Sequence, residues 1–361
     1  MVMLRFLPIA AIALLLACQA PIHSMLPAVE PLGLDDPVSS PLSKSLLVGI
    51  SPAKFIGFEE GLREQLLELD NWSGQRHSLV GLFVSLESAN PMHDIPAQLR
   101  LLAQYGYTPF INLTSGRSAR EVAEGKIDRK IYALALAFLE GLKIEPQQKI
   151  ILAPLPEMNG FWESYGETPV YFKQAYNRIR TIFSKAGVND NNVYWSFAPN
   201  GWARPGHQYR DYYPGDDKVD ILSYSSYNFG FCGASQWPKW QEAKQLHSEY
   251  LESLSALAED KPIIVAQMAS TAITSKGYSL DAKGSWLKNN YALLESNPRV
   301  AGVIYFNIDK ECDWAIYQGR HRGLDSYRES LQLKGITYVS PHQIGKFFKQ
   351  FGVIKNDNKH N

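Results

Sequence analysis

The sequence predicts a single-domain α/β protein with the (β/α)8 TIM-barrel fold, and three observations support this prediction. From Ser45 onward, short apolar segments rich in β-branched residues alternate with longer segments of helical period. Eight such apolar segments lie within about 260 residues, which is the usual length of this barrel. Neither of the Gly-rich phosphate turns, G-x-G-x-x-G and G-x-x-x-x-G-K-[ST], is present, which argues against an open doubly wound sheet.

The strand predictions depend on apolar runs that are continuous and do not alternate with polar residues. Continuous runs are typical of parallel strands that are covered on both faces. The predicted strands are 46–50, 79–86, 107–113, 149–156, 192–198, 219–227, 262–270 and 300–308. The barrel is therefore expected to occupy residues 45–317.

The helix predictions depend on amphipathic stretches between these strands. The predicted helices are 95–106, 128–144, 169–187, 247–260 and 284–298. Two further short helical patterns occur at 325–334 and 340–352. We expect the segment 318–361 to pack on the barrel.

The N-terminus is typical of an exported bacterial lipoprotein. Residues 1–17 contain a charged Arg5 and an apolar run too short to span a bilayer, which predicts a signal peptide. The run ends in Leu-Leu-Ala before Cys18, so we expect Cys18 to be lipidated and the protein to be anchored in the bacterial cell envelope. A plain secretory signal is the alternative. The Pro- and Ser-rich stretch 18–44 is expected to be a tether.

Three cysteines are present in the sequence. If Cys18 carries lipid, Cys232 and Cys312 form the only available pair, and an oxidising compartment favours a disulfide between them. Two separate buried thiols are the alternative.

Composition restricts the partners and cofactors. Lys+Arg and Asp+Glu are both 36, so the formal net charge is zero and no basic stripe favours nucleic acid. The eight His residues are scattered with no two at i,i+4, so no metal site is expected. We expect a monomer without a cofactor.

Active sites of such barrels lie at the carboxyl ends of the strands. The predicted strands deliver carboxylates, amides and aromatics there, which together are typical of sugar binding and cleavage. These residues are Asn112, Thr114, Glu157, Asn159, Trp162, Asn200, Trp202, Tyr224, Tyr227, Asn228, Gln267, Asn307, Asp309, Glu311, Asp313 and Trp314.

Glu157 is the candidate proton donor of a glycosidase. It follows a buried strand, where desolvation raises a carboxyl pKa and keeps the proton bound. The alternative is that Glu157 caps the turn that follows it. A glycosidase also needs a second carboxylate, as nucleophile or as base for water.

Five segments resemble, in order and spacing, the family 26 glycoside hydrolases, which are mostly β-mannanases. The segments are PEMNGFWESYG (156–166), 172–202, YYPGDDKVDILSYSSYN (212–228), 261–270 and 299–316. The resemblance implies a retaining enzyme with the (β/α)8 fold and a β-linked polysaccharide substrate such as mannan or an exopolysaccharide.

The resemblance also implies roles for individual residues. Glu157 matches the acid/base glutamate of the family, and Trp162 matches the aromatic that follows it as a subsite wall. Tyr227 matches the tyrosine that contacts the nucleophile, and Trp314 is similar to the aromatic near the end of the eighth predicted strand, 300–308. Asn159, Asn200 and Trp202 are further expected substrate-binding residues.

Two positions depart from the family pattern. Pro156 replaces the histidine before the acid/base glutamate, and Gln267 occupies the position of the catalytic nucleophile. A neutral amide cannot form the glycosyl ester of a retaining mechanism.

Three functions are therefore open. The first is a glycosidase in which Asp309, Glu311 or Asp313 replaces the nucleophile as base, or in which an acetamido group of the substrate attacks. The second is a catalytically degenerate protein that binds the polysaccharide without cutting it. The third is a structural lipoprotein with no sugar ligand.

Overall fold

The computed structural model describes residues 45–166, 168–202, 206–319 and 323–355. Eight parallel strands close into a barrel, in the order β1-β10-β7-β6-β5-β4-β3-β2, which confirms the predicted (β/α)8 fold. The barrel strands are β1 (Leu47–Ser51), β2 (Leu79–Ser85), β3 (Thr108–Thr114), β4 (Ile150–Pro154), β5 (Val193–Phe197), β6 (Ile221–Asn228), β7 (Ile263–Ser270) and β10 (Val300–Phe306). A two-stranded hairpin of β8 (Ile273–Thr274) and β9 (Gly277–Tyr278) follows β7.

Helices lie between successive strands because their apolar stripes cover the outside of the barrel. The helices are α1 (Glu59–Leu62), α2 (Glu68–Ser73), α3 (Pro91–Gln104), α4 (Ala119–Ala123), α5 (Asp128–Ile144), α6 (Pro169–Lys185), α7 (Tyr209–Tyr212), α8 (Ala243–Ser255), α9 (Leu280–Ser296), α10 (Asp325–Ser330) and α11 (Ile344–Lys349). A π-helical turn, Arg63–Leu67, joins α1 to α2. A capping box at Ser118 starts α4.

The C-terminal segment closes the amino end of the barrel. Val339, Ile344, Phe347 and Phe348 belong to one buried cluster with residues from the starts of the strands. The strand residues of this cluster include Leu47, Leu79, Ile151, Tyr194 and Ile264. Because this end is filled with apolar side chains, the opposite, carboxyl end is left for a polar site.

Strand β7 contains an irregularity that bears on the site. From Tyr224 to Ser225, β6 advances by one residue while its partners on β7 advance by two, from Val265 to Gln267. The pairing of β7 with β10 also shifts over this stretch. β7 therefore has one extra residue relative to both neighbours, which is a β-bulge next to Gln267.

The predicted signal peptide 1–17, the lipidation site Cys18 and the tether 18–44 lie outside the described residues. Within the described ranges, no helix combines the length and apolarity that a membrane span requires.

Candidate active site

A groove at the carboxyl ends of the strands forms a cavity of about 840 Å³. This volume is typical of a small-molecule or oligomer-binding site. Its polar lining residues include Thr114, Glu157, Glu163, Asn200, Ser225, Ser226, Tyr227, Lys239, Gln267, Lys310 and Glu311. Its aromatic lining residues are Phe83, Phe161, Trp162, Trp202, Trp237, Phe229, Tyr250 and Phe306, together with Tyr227.

The backbone around Glu157 is held in an unusual conformation. Leu155 and Glu157 have positive φ angles of 52° and 60°, on either side of Pro156. Left-handed backbone at non-Gly residues costs roughly 1–3 kcal/mol each. The Glu157 N–H donates to Ala198 O at 2.8 Å, which fixes this turn to the end of β5. The turn directs the Glu157 side chain into the groove.

Three donors fix the Glu157 carboxylate. Asn200 Nδ2 donates to Oε1 at 3.0 Å, and Ser225 Oγ donates to the same oxygen. Trp162 Nε1 donates to Oε2 at 2.7 Å. Both oxygens are therefore oriented by residues from three different segments of the chain.

Gln267 lies in the same groove and is 5% exposed. The Tyr227 hydroxyl donates a hydrogen bond to Gln267 Oε1 at 2.5 Å. Burial raises the pKa of Tyr227 well above its ordinary value, and the charges of Glu157 and Glu311 raise it further. Tyr227 is therefore a neutral donor at physiological pH.

Trp314 does not line the groove, so its expected role as a substrate-binding residue is wrong. Its side chain is fully buried and packs behind Tyr227, with ring centroids 5.4 Å apart, and against Phe229 at 4.9 Å. The loop after β10 turns the indole inward. Trp314 thus supports Tyr227 and has no surface for a ligand.

Asn159 is also a structural residue, contrary to the expected substrate contact. It is 1% exposed, and its amide donates to Asn200 O at 2.9 Å and to Trp202 O at 3.2 Å. Its Oδ1 accepts from the Asn200 N–H at 2.8 Å. Asn159 therefore joins the β4 loop to the β5 loop and positions Asn200 for Glu157.

Trp162 and Trp202 form an aromatic wall with two neighbours. Trp162 and Trp202 lie with ring centroids 5.8 Å apart, and Trp237 stacks on Trp202 at 5.6 Å. Phe161 packs edge-on against both Trp162 and Trp202. Exposed aromatic faces of this kind bind the apolar faces of sugar rings.

Only one of the three candidate carboxylates after β10 lines the groove. Asp313 is 1% exposed and accepts hydrogen bonds from Thr271 Oγ1 and from the Ala272 N–H. Asp309 accepts from the Ala315 N–H at 2.9 Å and is not among the lining residues. Glu311 is the candidate carboxylate that lines the groove.

Glu163 is a groove residue that the sequence reasoning missed. Burial raises its pKa above the ordinary glutamate value, and the nearby charge of Glu157 raises it further. Its position one residue after Trp162, in the loop that carries Glu157, was the available signal.

A disulfide joins Cys232, in the loop after β6, to Cys312, in the loop after β10, with Cα atoms 6.0 Å apart. These loops flank β7 in the barrel order. The bridge therefore fixes the residue next to Glu311. Among the described residues, no group of three or more His, Cys, Asp or Glu is arranged to hold a metal ion.

Comparison with known proteins identifies relatives of the chain. Residues 117–270 match the family described as glycosyl hydrolase family 26. Endoglucanase H of Acetivibrio thermocellus is 30% identical over 220 residues, which are 58% of this chain. The alignment covers 23% of that longer protein.

Solved structures show the same fold at low sequence identity. A GH26 β-mannanase from Bacteroides ovatus has a TM-score of 0.60 at 17% identity, covering 88% of this chain and 95% of its own. The catalytic domain of a GH26 endo-β-1,4-mannanase from a Bacillus species has a TM-score of 0.62 at 18% identity, covering 86% and 92%. The family match confirms the resemblance for residues 117–270, and the solved structures confirm the fold.

Proposed function

We propose that this chain, which carries a family 26 glycoside hydrolase region at residues 117–270, hydrolyses a β-linked polysaccharide with Glu157 as general acid. The observation that carries the proposal is the Glu157 carboxylate, oriented by three donors in a groove with an aromatic wall. We further propose that the protein acts in the bacterial cell envelope, anchored through lipidated Cys18, on a mannan-like polymer or an exopolysaccharide.

The base in this proposal is Glu311. β4 and β10 are four positions apart in a ring of eight strands, so their carboxyl ends lie on opposite sides of the barrel. Glu157, Tyr227 and Glu311 all line the groove, and the pKa of Tyr227 is raised by burial and then by the charges of both glutamates. Glu163 is less suited than Glu311 to act as the base because Glu163 lies in the same loop as Glu157.

The proposed reaction uses the carboxyl groups of Glu157 and Glu311 on opposite sides of the glycosidic bond. Glu157 gives its proton to the leaving glycosidic oxygen as the anomeric C–O bond breaks. Glu311 takes a proton from water as the oxygen of that water bonds to the anomeric carbon. Because water attacks from the opposite face and no ester forms on Gln267, the product has the inverted configuration.

The purified full-length protein would be incubated with mannan, mixed-linkage glucan and exopolysaccharides, and new reducing ends measured. We expect release that falls at least about a hundredfold in Glu157→Gln and in Glu311→Gln. Glu252→Gln, an exposed change on α8, is the matched control and should leave release unchanged. Proton NMR of the first product formed would contradict the mechanism if the anomeric configuration were retained.

Gln267 favours a second candidate function, polysaccharide binding without cleavage. Glutamine has nearly the shape of glutamate, and its Oε1 still accepts the Tyr227 hydrogen bond, so a groove without its nucleophile keeps its form. Micromolar glycan affinity with no reducing-end release by the wild-type protein would support this function and exclude hydrolysis.

A further inference from the structure

A second cavity, of about 290 Å³, adjoins the groove. It is formed by the loop after β1, by β2 and by α3, and its lining includes Lys54, Phe55, Ser88, Asp94 and Gln98. Phe83 lines both this cavity and the groove. Phe83 therefore borders both spaces.

The second cavity has an exposed aromatic surface. Phe55 is 41% exposed, Phe83 is 45% exposed, and Phe58 beside the cavity is 60% exposed. Phe55 and Phe58 lie with ring centroids 5.6 Å apart, and His93 extends the patch at 6.4 Å from Phe58. A contiguous exposed patch of this kind marks a binding surface, and flat rings suit the C–H faces of sugars.

The charged groups of this cavity already have partners within the protein. Lys54 pairs with Glu64 at 2.7 Å, and the Asp94 carboxylate is hydrogen-bonded to His93 Nδ1 at 2.9 Å. The hydroxyls of Ser85 and Ser88 and the amide of Gln98 complete the polar lining. These groups suit sugar hydroxyls, whereas a polyanion would find no uncompensated positive charge there.

We propose that the second cavity is a distal subsite for the same uncharged β-linked chain that occupies the groove. The proposal rests on the proposed function of the groove, because the occupant of both spaces is one polymer. Its consequence is a preference for long substrates. Chains that extend past Phe83 gain contact with Phe55, and short ones do not.

The test is affinity as a function of oligosaccharide length. Isothermal titration calorimetry would use manno- and cello-oligosaccharides of two to six residues, in a Glu157→Gln background that prevents turnover. We expect the hexasaccharide to bind about tenfold more tightly than the trisaccharide. Phe55→Ala should remove most of this gain and leave the trisaccharide affinity unchanged. Phe55→Tyr keeps the aromatic ring and should therefore keep the tighter binding of the hexasaccharide.

Tyr132→Ala is the matched control, because Tyr132 is an aromatic on α5 with similar exposure, 44%, outside both cavities. Equal affinity for the trisaccharide and hexasaccharide would overturn the distal subsite and leave the groove's proposed function standing. A gain in affinity with oligosaccharide length that persists in Phe55→Ala would also overturn the distal subsite. Absence of binding at every length, for the wild-type protein as well, would overturn both proposals.

Discussion

The Tyr227 hydroxyl donates its hydrogen bond to Gln267 Oε1 at 2.5 Å, in the groove that also holds Glu157. The contact is one that a carboxylate oxygen would accept equally well. The bulge in β7 lies next to Gln267. The position that the family resemblance assigns to the nucleophile therefore keeps a hydrogen bond that a carboxylate would also accept.

Gln267→Glu is expected to allow a second, retaining mechanism at this position. A carboxylate held by Tyr227 can form a glycosyl ester, so hydrolysis should rise by at least about tenfold and the new product should retain its anomeric configuration. Reducing-end assays and proton NMR of the product measure both effects. Gln267→Asn, a shorter amide, is the control, and a folded Gln267→Glu protein with no gain in rate would contradict the prediction.

Trp162→Phe is expected to separate the two roles of Trp162, which are to form part of the groove wall and to donate a hydrogen bond to Glu157. Phenylalanine keeps an aromatic face at the groove wall but removes the Nε1–H that holds Glu157 Oε2 at 2.7 Å. We expect kcat to fall about tenfold with a smaller change in KM, since loss of one charge-assisted hydrogen bond is worth about 1.5 kcal/mol. Trp237→Phe is the control, because Trp237 lines the same groove but does not donate to Glu157. Equal losses in the two variants would contradict the assignment.

The barrel could be predicted from sequence because its strands are fully buried runs with clear helical segments between them. The predicted helix 128–144 coincides with α5, and the eight predicted strands each overlap an observed barrel strand. The short elements were missed for a physical reason. The α1 to α2 segment and the β8–β9 hairpin are too short to show a period, and local turns decide their conformation.

The strand-end rule identified which residues gather at the groove but could not give the direction of each side chain. Glu157 enters the groove through a left-handed backbone turn, whereas Asn159, two residues later, points into the protein and joins two loops. The family resemblance predicts a substrate contact for Trp314, yet the loop that carries Trp314 buries its side chain. Loop backbone conformation decides these outcomes, and spacing along the chain does not encode it.

Glu163 should respond to the charge of Glu157. Its pKa is raised first by burial and then by Glu157, so Glu157→Gln should lower the Glu163 pKa but leave it above the ordinary glutamate value. Carbon-13 NMR titration of the glutamate carboxyl signals measures this, with Glu163→Gln used to assign the peak. Glu252→Gln should leave the titration unchanged. A Glu163 pKa that does not move in Glu157→Gln would contradict the coupling.

Lys283 should make stability rise with pH in the alkaline range. Its Nζ is buried and donates to the carbonyl oxygens of Asp313, Trp314 and Ala315, and burial lowers its pKa to about 8. Between this value and the 10.5 of an unfolded lysine, the unfolded chain holds a proton that the native state has released. The free energy of unfolding therefore rises with pH in that window, by up to about 3 kcal/mol in total.

Urea unfolding of wild type and Lys283→Met at several pH values between 7 and 10 isolates this contribution. The variant should be less stable at neutral pH, since three carbonyls lose their donor, and its deficit should widen above about pH 8. Lys288→Met, an exposed change on the same helix, should show no widening. A deficit that stays constant with pH would show that Lys283 titrates in the native state as it does when unfolded.

Loss of the disulfide should affect stability and catalysis together. The bridge closes a loop with a sequence separation of 80, for which chain entropy predicts a stabilisation of about 4–5 kcal/mol. Because Cys312 adjoins Glu311, the paired variant Cys232→Ser/Cys312→Ser should also lower kcat more than it raises KM. Dithiothreitol should shift wild type towards the variant in both unfolding free energy and kcat, and should leave the variant itself unchanged. An unfolding free energy within about 1 kcal/mol of wild type would contradict the stabilisation, and a normal kcat in the destabilised variant would show that Glu311 is positioned without the bridge.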